Sequence, residues 1–224
     1  MREFVVGSIK GASDYLMQIL SKINYDPSGD KIIFLGNYTG STDNNIKTIE
    51  FINSLQLENT NVITLLGDID DGLKTYLDCQ FEYTQWILYG GHKTKKEYAK
   101  KWTKYRDSHL DFLDNCSYHY VDQYNNYYTH SGFDISSKVF TAATDAYTIK
   151  EDMFWPNLLK KHEEESIKIK EYTNIFISHK KGIWPVNIKN PNNYKNVWNL
   201  EMQDKRILCM DIETKEIFKS ESII

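Results

Sequence analysis

The sequence predicts a single α/β domain, and three observations carry that prediction. The chain has 224 residues, a length that one domain of roughly 100–200 residues with insertions accounts for. Its composition, 41% hydrophobic, 14% aromatic and 26% charged, suits a chain that buries a core and excludes a disordered tail, a collagenous rod and a coiled coil. Short apolar runs also alternate with helix-spaced segments through the first 70 residues. That βαβαβ order implies parallel strands joined by right-handed crossovers.

The elements follow in order. Phe4-Val5-Val6, the run from Lys31 to Leu35 and the run from Val62 to Leu66 read as buried strands, and each ends at a glycine: Gly7, Gly36 and Gly67. Between them, Tyr15-Leu16 with Ile19-Leu20, and Ile46, Ile49, Phe51-Ile52 and Leu55, recur at helical spacing. Residues 70–118 are predicted as a helical insertion rich in aromatics. Within it the run from Lys93 to Arg106 spaces Tyr98, Trp102 and Tyr105 as the inner face of one amphipathic helix under a solvated lysine face. His92 is read as a loop residue near the crevice, and His109 and His162 as helical residues with exposed neighbours. Later strands are predicted over 126–129, 175–178, 206–211 and 216–218, with a charged helix over 158–170. The segment 197–224 is expected to end the domain, 1–224, as an antiparallel strand hairpin.

Charge narrows the function classes. With 27 basic against 31 acidic residues the net charge is −4, so the overall field repels phosphate backbones and nucleic acid is not an expected partner. No run approaches a membrane span and the N-terminus does not read as a signal peptide, so a cytoplasmic protein is expected. Cys79, Cys116 and Cys209 are far apart and lack a C-x-x-C pair, which argues for buried or free thiols over a disulfide framework. Arginine occurs only at Arg2, Arg106 and Arg206, and 24 of the 27 basic residues are lysine. With abundant Asn, Ile and Tyr, this is the residue usage of an AT-rich genome. It leaves few of the rigid guanidinium forks that phosphate sites prefer.

In an open α/β sheet the loops beyond the strands' carboxyl ends form the ligand crevice. Here five such ends carry Gly7-Ser8-Ile9-Lys10-Gly11, Gly36-Asn37-Tyr38-Thr39-Gly40-Ser41, Gly67-Asp68-Ile69-Asp70, Thr129-His130-Ser131-Gly132 and Ser178-His179-Lys180. The ordered set resembles the calcineurin-like metallophosphoesterases, in particular small phosphatases of the serine/threonine type from bacteria and bacteriophages and the related diadenosine-tetraphosphatase group. The family pattern GDxHG, GDxxDRG, GNHE, HAG or HGG, and GHT is matched by GSIKG, GNYTGS, GDID, THSG and SHK. The stretch WILYGGHKTKKEY, Trp86 to Tyr98, resembles the family's W-x-x-x-GG-x-x-T-x-x-x-Y segment, and Trp155 falls where a Trp-Arg pair is usual. The resemblance implies an αββα sandwich of two mixed sheets flanked by helices.

It also implies which chemical groups are altered. Family members hold two metals that activate a water for attack on phosphorus. At the first-metal positions this chain has Ser8, Lys10 and Asn37, and an ammonium has no lone pair for a metal. At the second-metal positions stand Asn37, Asp68, His130 and His179, a set suited to one Mn, Zn or Fe ion. Two arrangements are open: one ion on those residues, or a metal-free crevice in which Lys10 neutralises Asp68. The family's leaving-group histidine and its partner aspartate correspond to Ile69 and Gly40, and its phosphate-binding arginines to Ser41, Leu66 and Asn157. Losing general acid catalysis alone costs ~10²–10⁴ in rate.

The expectation is therefore a catalytically inactive phosphatase homologue that works by binding a protein partner, or a phosphorylated or nucleotide ligand, along Lys10, Asn37, Asp68, His130 and His179. A weak single-metal phosphoesterase is one alternative. The other is a structural subunit of a larger assembly, located in the host cytoplasm or virion if that assembly is viral, that makes contact through Trp184-Pro185 or Trp198.

Overall fold

The computed structural model describes residues 1–131, 170–179, 196–201 and 206–222, together with the backbone of 192–194. In the first sheet β1 (Glu3–Val6), β2 (Lys31–Phe34) and β3 (Val62–Thr64) run parallel, and β9 (Leu208–Asp211) and β10 (Ile217–Lys219) extend it antiparallel in the order β10-β9-β1-β2-β3. The second sheet has the order β4-β5-β6-β8-β7, built from β4 (His119–Val121), β5 (Tyr127–Thr129), β6 (Ile175–Ile177), β7 (Asn192–Tyr194) and β8 (Val197–Asn199). Its central strands are parallel and both edge pairs antiparallel.

Strand side chains alternate between faces, and the two cores divide along that alternation. Val5, Ile33, Leu35 and Met210 pack with Tyr128 and Phe176 between the sheets. Phe4, Val6, Ile32 and Phe34 face outward onto α1 (Ser13–Lys22) and α2 (Asn45–Glu58) through Leu16, Ile19, Ile49 and Ile52. Two mixed sheets lie face to face with helices outside, which confirms the expected sandwich.

The insertion contains α3 (Asp68–Cys79), the short turn α4 (Thr84–Trp86), a kinked turn over Ile87–Gly91 that Tyr89 and Gly90 break, α5 (His92–Ala99) and α6 (Trp102–Asn115). The run from Lys93 to Arg106 is therefore not one helix. Lys100 and Lys101 bond back to Glu97 O and Tyr98 O, closing α5 before α6 begins. Tyr98 and Tyr105 are nonetheless buried as the aromatic spacing predicts. His109 lies on α6 beside the exposed Asp107 and Ser108, as expected, and is itself buried, with Nδ1 2.5 Å from Tyr98 Oη. His92 opens α5 rather than lying in a loop, and is exposed with Nδ1 3.1 Å from Ile87 O.

One further expectation changes. Residues 197–199 belong to the second sheet, so the terminal hairpin is β9–β10 alone. Trp198 is half-buried, with Nε1 donating to Asn174 Oδ1 and the Lys215 ammonium 5.6 Å from its ring. The helix expected over 158–170, with Trp155, Asn157, His162 and Trp184-Pro185, lies outside the described residues apart from its last position. No described helix is long and apolar enough to cross a membrane. Cys116 and Cys209 are buried free thiols and Cys79 is exposed.

Candidate functional site

The crevice lies where the loops after β1, β2, β3, β5 and β6 meet. The first three are laced together by backbone: Asn37 O accepts the N–H groups of Ile9 and Lys10, and Tyr38 O accepts that of Gly11. Gly36 turns at φ +91°, and a Cβ there would stand 2.5 Å from Gly67 N, so this approach of two loops demands glycine. Asp70, fully buried at the third position of α3, fastens the pair. Its carboxylate accepts the N–H groups of Tyr38 and Thr39 at 3.1 and 3.2 Å. Burial raises Asp70 to about 6 despite those bonds.

The fourth and fifth loops supply imidazoles. His130 is fully buried, and its Nδ1 lies 2.8 Å from Leu35 O. A carbonyl oxygen only accepts, so Nδ1 carries the proton and Nε2 is turned into the crevice. There Nε2 lies 3.2 Å from Asp68 Oδ1, while His179 Nε2 lies 3.7 Å from Asp68 Oδ2. Asp68 opens α3, where the positive helix end favours a carboxylate. Burial opposes its ionisation, but hydrogen bonds and charge from both histidines outweigh that and hold it well below the usual carboxyl range. Burial likewise opposes protonation of His130, and the Asp68 bond and charge raise it above the ordinary imidazole value.

The donor atoms of Asp68, His130 and His179 all lie within 4.8 Å of one another. The set fits a single divalent cation on its own chemistry, because a backbone carbonyl fixes the His130 tautomer that leaves Nε2 able to ligate. His179 Nδ1 is buried with no hydrogen-bond partner among the described residues. Asn37 stands beside this set but is turned differently from a ligand. Its Nδ2 faces Asp68 Oδ1 and His130 Nε2, both at 2.9 Å, and its Oδ1 accepts the Ile69 N–H. Rotating the amide to offer oxygen to a metal would turn its NH₂ against an N–H, so Asn37 is placed to orient the cluster.

The opposite corner is built otherwise. Ser8 is committed to Ser178: its N–H donates to Ser178 Oγ at 2.7 Å and its hydroxyl to Ser178 O at 3.1 Å. Lys10 does not neutralise Asp68; its ammonium pairs with Glu201, just beyond β8, because that buried carboxylate needs a cation and Asp68 already has two imidazoles. Gly40 makes room for this, since a Cβ there would meet Lys10 Cβ at 3.1 Å. Its N–H goes to Asn45 Oδ1 at 2.7 Å. These residues do not fit a second metal, as the corner offers a hydroxyl already bonded and an ammonium already paired.

The remaining altered positions follow the same division. Leu66 and Ile69 are buried in the outer core and Ser41 is exposed. Arg2 is engaged with Asp30 and Arg106 with Asp107 and the Leu77 carbonyl. Sequence reasoning did not find Glu201, Ser178 Oγ, Asp70 or Glu97. Glu97 reaches from α5 to cap α2, accepting the N–H groups of Asn45 and Ile46. Only Asp70 had a signal, an acidic residue at the third position of a helix, which is half of a capping box.

The fold is that of solved metallophosphoesterases and protein phosphatases, and its crevice has one corner of metal-ligating side chains and one corner closed by an ion pair. The chain is similar over its full length to a protein serine/threonine phosphatase from Saccharomyces cerevisiae, at 9% identity, 81% of that chain and a TM-score of 0.60. It is similar to a metallophosphoesterase from Sphaerobacter thermophilus at 10% identity over all of this chain and 89% of that one, with a TM-score of 0.56. In sequence it is 30% identical over 136 residues to a symmetrical bis(5'-nucleosyl)-tetraphosphatase from Marinomonas sp. (strain MWYL1). That match takes in 59% of this chain and 44% of the relative, so it spans less than half of the relative's length. No family model matches the chain.

Proposed function

We propose that this protein is a catalytically inactive relative of the metal-dependent phosphoesterases that binds a phosphoryl-bearing ligand in its crevice without cleaving it. The observation that carries the reading is the filled first-metal corner, where Lys10 pairs with Glu201 and Ser8 with Ser178. One ion on Asp68, His130 and His179, of Mn, Zn or Fe type, would serve as a Lewis acid toward a phosphoryl oxygen. The chain's own residues would position that ion, with Asn37 Nδ2 bonded to Asp68 and His130 and its Oδ1 to the first turn of α3. They offer no leaving-group acid, because Ile69 occupies that position, and no arginine clamp at Gly40-Ser41 or Leu66. The similarity to a nucleosyl-tetraphosphatase favours a nucleotide among phosphoryl ligands.

The test is turnover of a phosphomonoester, a phosphopeptide and a dinucleoside tetraphosphate by the full chain in Mn²⁺ or Zn²⁺. Hydrolysis at the buffer background is expected. Metal-dependent hydrolysis that disappears in His130→Ala would establish the weak one-metal phosphoesterase instead.

A further inference from the structure

Glu201 enters that reading only as the residue that fills the corner, and as a buried carboxylate it asks for more. Its side chain is 5% exposed, and its charged partner is the Lys10 ammonium, on a side chain that is 33% exposed. Both groups are held in place. The Glu201 N–H donates to Asn199 Oδ1 at 3.0 Å, and Ser178 Oγ faces Glu201 Oε2 at 3.4 Å. Lys10 sits at φ +57°, in the left-handed region that is unfavourable for a residue with a Cβ. Its N–H is held by Asn37 O, and its carbonyl by Thr42 N and Thr42 Oγ1. Non-glycine strain of this kind persists where the surroundings over-determine it, and it marks sites of function. Asn37, at φ +55°, connects the two corners: its carbonyl holds the Lys10 backbone and its amide holds Asp68 and His130.

An ammonium receives a carboxylate oxygen and a phosphoryl oxygen by the same charge-assisted bond. We propose that Glu201 is an internal stand-in for the anionic ligand, occupying the Lys10 ammonium until a phosphoryl group displaces it. Lys10 is then the fixed cation that this crevice uses where its relatives use a metal, and Glu201 is the residue that keeps the position closed. The partial exposure of Lys10 provides the approach. Displacement leaves a buried carboxylate without its cation, which is costly and keeps the affinity of the intact protein low. The inference takes its ligand class from the reading above and adds the group that binds and the group that competes.

The experiment is calorimetric titration of inorganic phosphate into the full chain, with and without Mn²⁺, for wild type, Glu201→Gln and Lys10→Met/Glu201→Gln. Freeing the ammonium should tighten phosphate binding by about ten-fold or more, and the double variant should lose the gain. Unchanged affinity in Glu201→Gln overturns the proposal, as does an equal gain in the double variant, which would mean that the glutamate's charge acts without Lys10. Absence of phosphate binding in every variant would overturn the ligand reading as well, so the two failures are distinguishable. Acetylation of Lys10, followed by mass spectrometry, keeps the proposal testable should the double variant not fold. Lys10 should react faster in Glu201→Gln and be protected by phosphate, and equal reactivity with no protection overturns it.

Discussion

The two corners of the crevice differ in how their polar groups are satisfied. Around Asp68, two imidazoles converge on one carboxylate through their Nε2 atoms, and His179 Nδ1 is left without a hydrogen-bond partner among the described residues. Around Lys10, every principal group has a partner in its own chain: Ser8 on Ser178, Lys10 on Glu201, Gly40 N–H on Asn45. The first corner gathers side chains that could ligate a cation, and the second contains a cation of its own, the Lys10 ammonium. A lysine and a glutamate distant in sequence thus neutralise each other at one corner of the crevice while backbone bonds hold the loops around them.

Several measurements would break or sharpen that contrast. The largest effect on folding is expected at Gly90, which has φ +117° and through which the insertion presses on the closed corner. A Cβ there would stand 2.6 Å from the Gly40 carbonyl carbon. Gly90→Ala should cost roughly 3 kcal/mol in urea denaturation, from strain and backbone collision together. Little change would show that the insertion does not brace the loop.

A comparable effect, confined to acid, is expected from the helical layer. Burial lowers His109 to about 4, against an ordinary value of 6.5. The unfolded chain therefore binds the proton first, and stability present above pH 6.5 is lost as the pH falls toward 4, by up to about 3 kcal/mol. Asp70, raised to about 6 by burial, acts in the opposite sense: its contribution is lost as the pH rises from 3.8 to about 6. Thermal unfolding across this range should therefore flatten at the acid end in His109→Gln and steepen in Asp70→Asn. If neither slope changes, other groups govern acid stability.

Lys10→Met alone strands the Glu201 carboxylate and should cost about 2 kcal/mol, discounted from a fully buried pair because Lys10 is partly exposed. Adding Glu201→Gln should restore most of it, and a double-mutant cycle reads the coupling directly. The smallest effect belongs to Ser8→Ala, about 1 kcal/mol for one hydroxyl bond to Ser178. A negligible coupling at Lys10 would reduce the closed corner to incidental contacts.

The same contrast explains what was legible in the sequence. The βαβαβ half and its crevice could be read because glycines end its three apolar runs, Gly67 stands beside Asp68, and the resemblance of THSG and SHK to family motifs pointed to His130 and His179. Glu201 could not be read, since it pairs with Lys10 across 191 positions and carries no periodic or local signal. The break between α5 and α6 was hidden because Tyr98, Trp102 and Tyr105 keep helical spacing across it. The three-residue strands β4 and β7 are too short for alternation to register. Trp198 showed its size in the sequence but not its burial under Lys215.

The most direct test of the account is the number of divalent ions bound per chain, measured by elemental analysis after equilibration with Mn²⁺ or Zn²⁺ and removal of excess. About one ion in wild type, lost in His130→Ala and kept in Glu201→Gln, is the expected result. Two ions in wild type would contradict the closed corner and restore a binuclear centre, and none would contradict the open one.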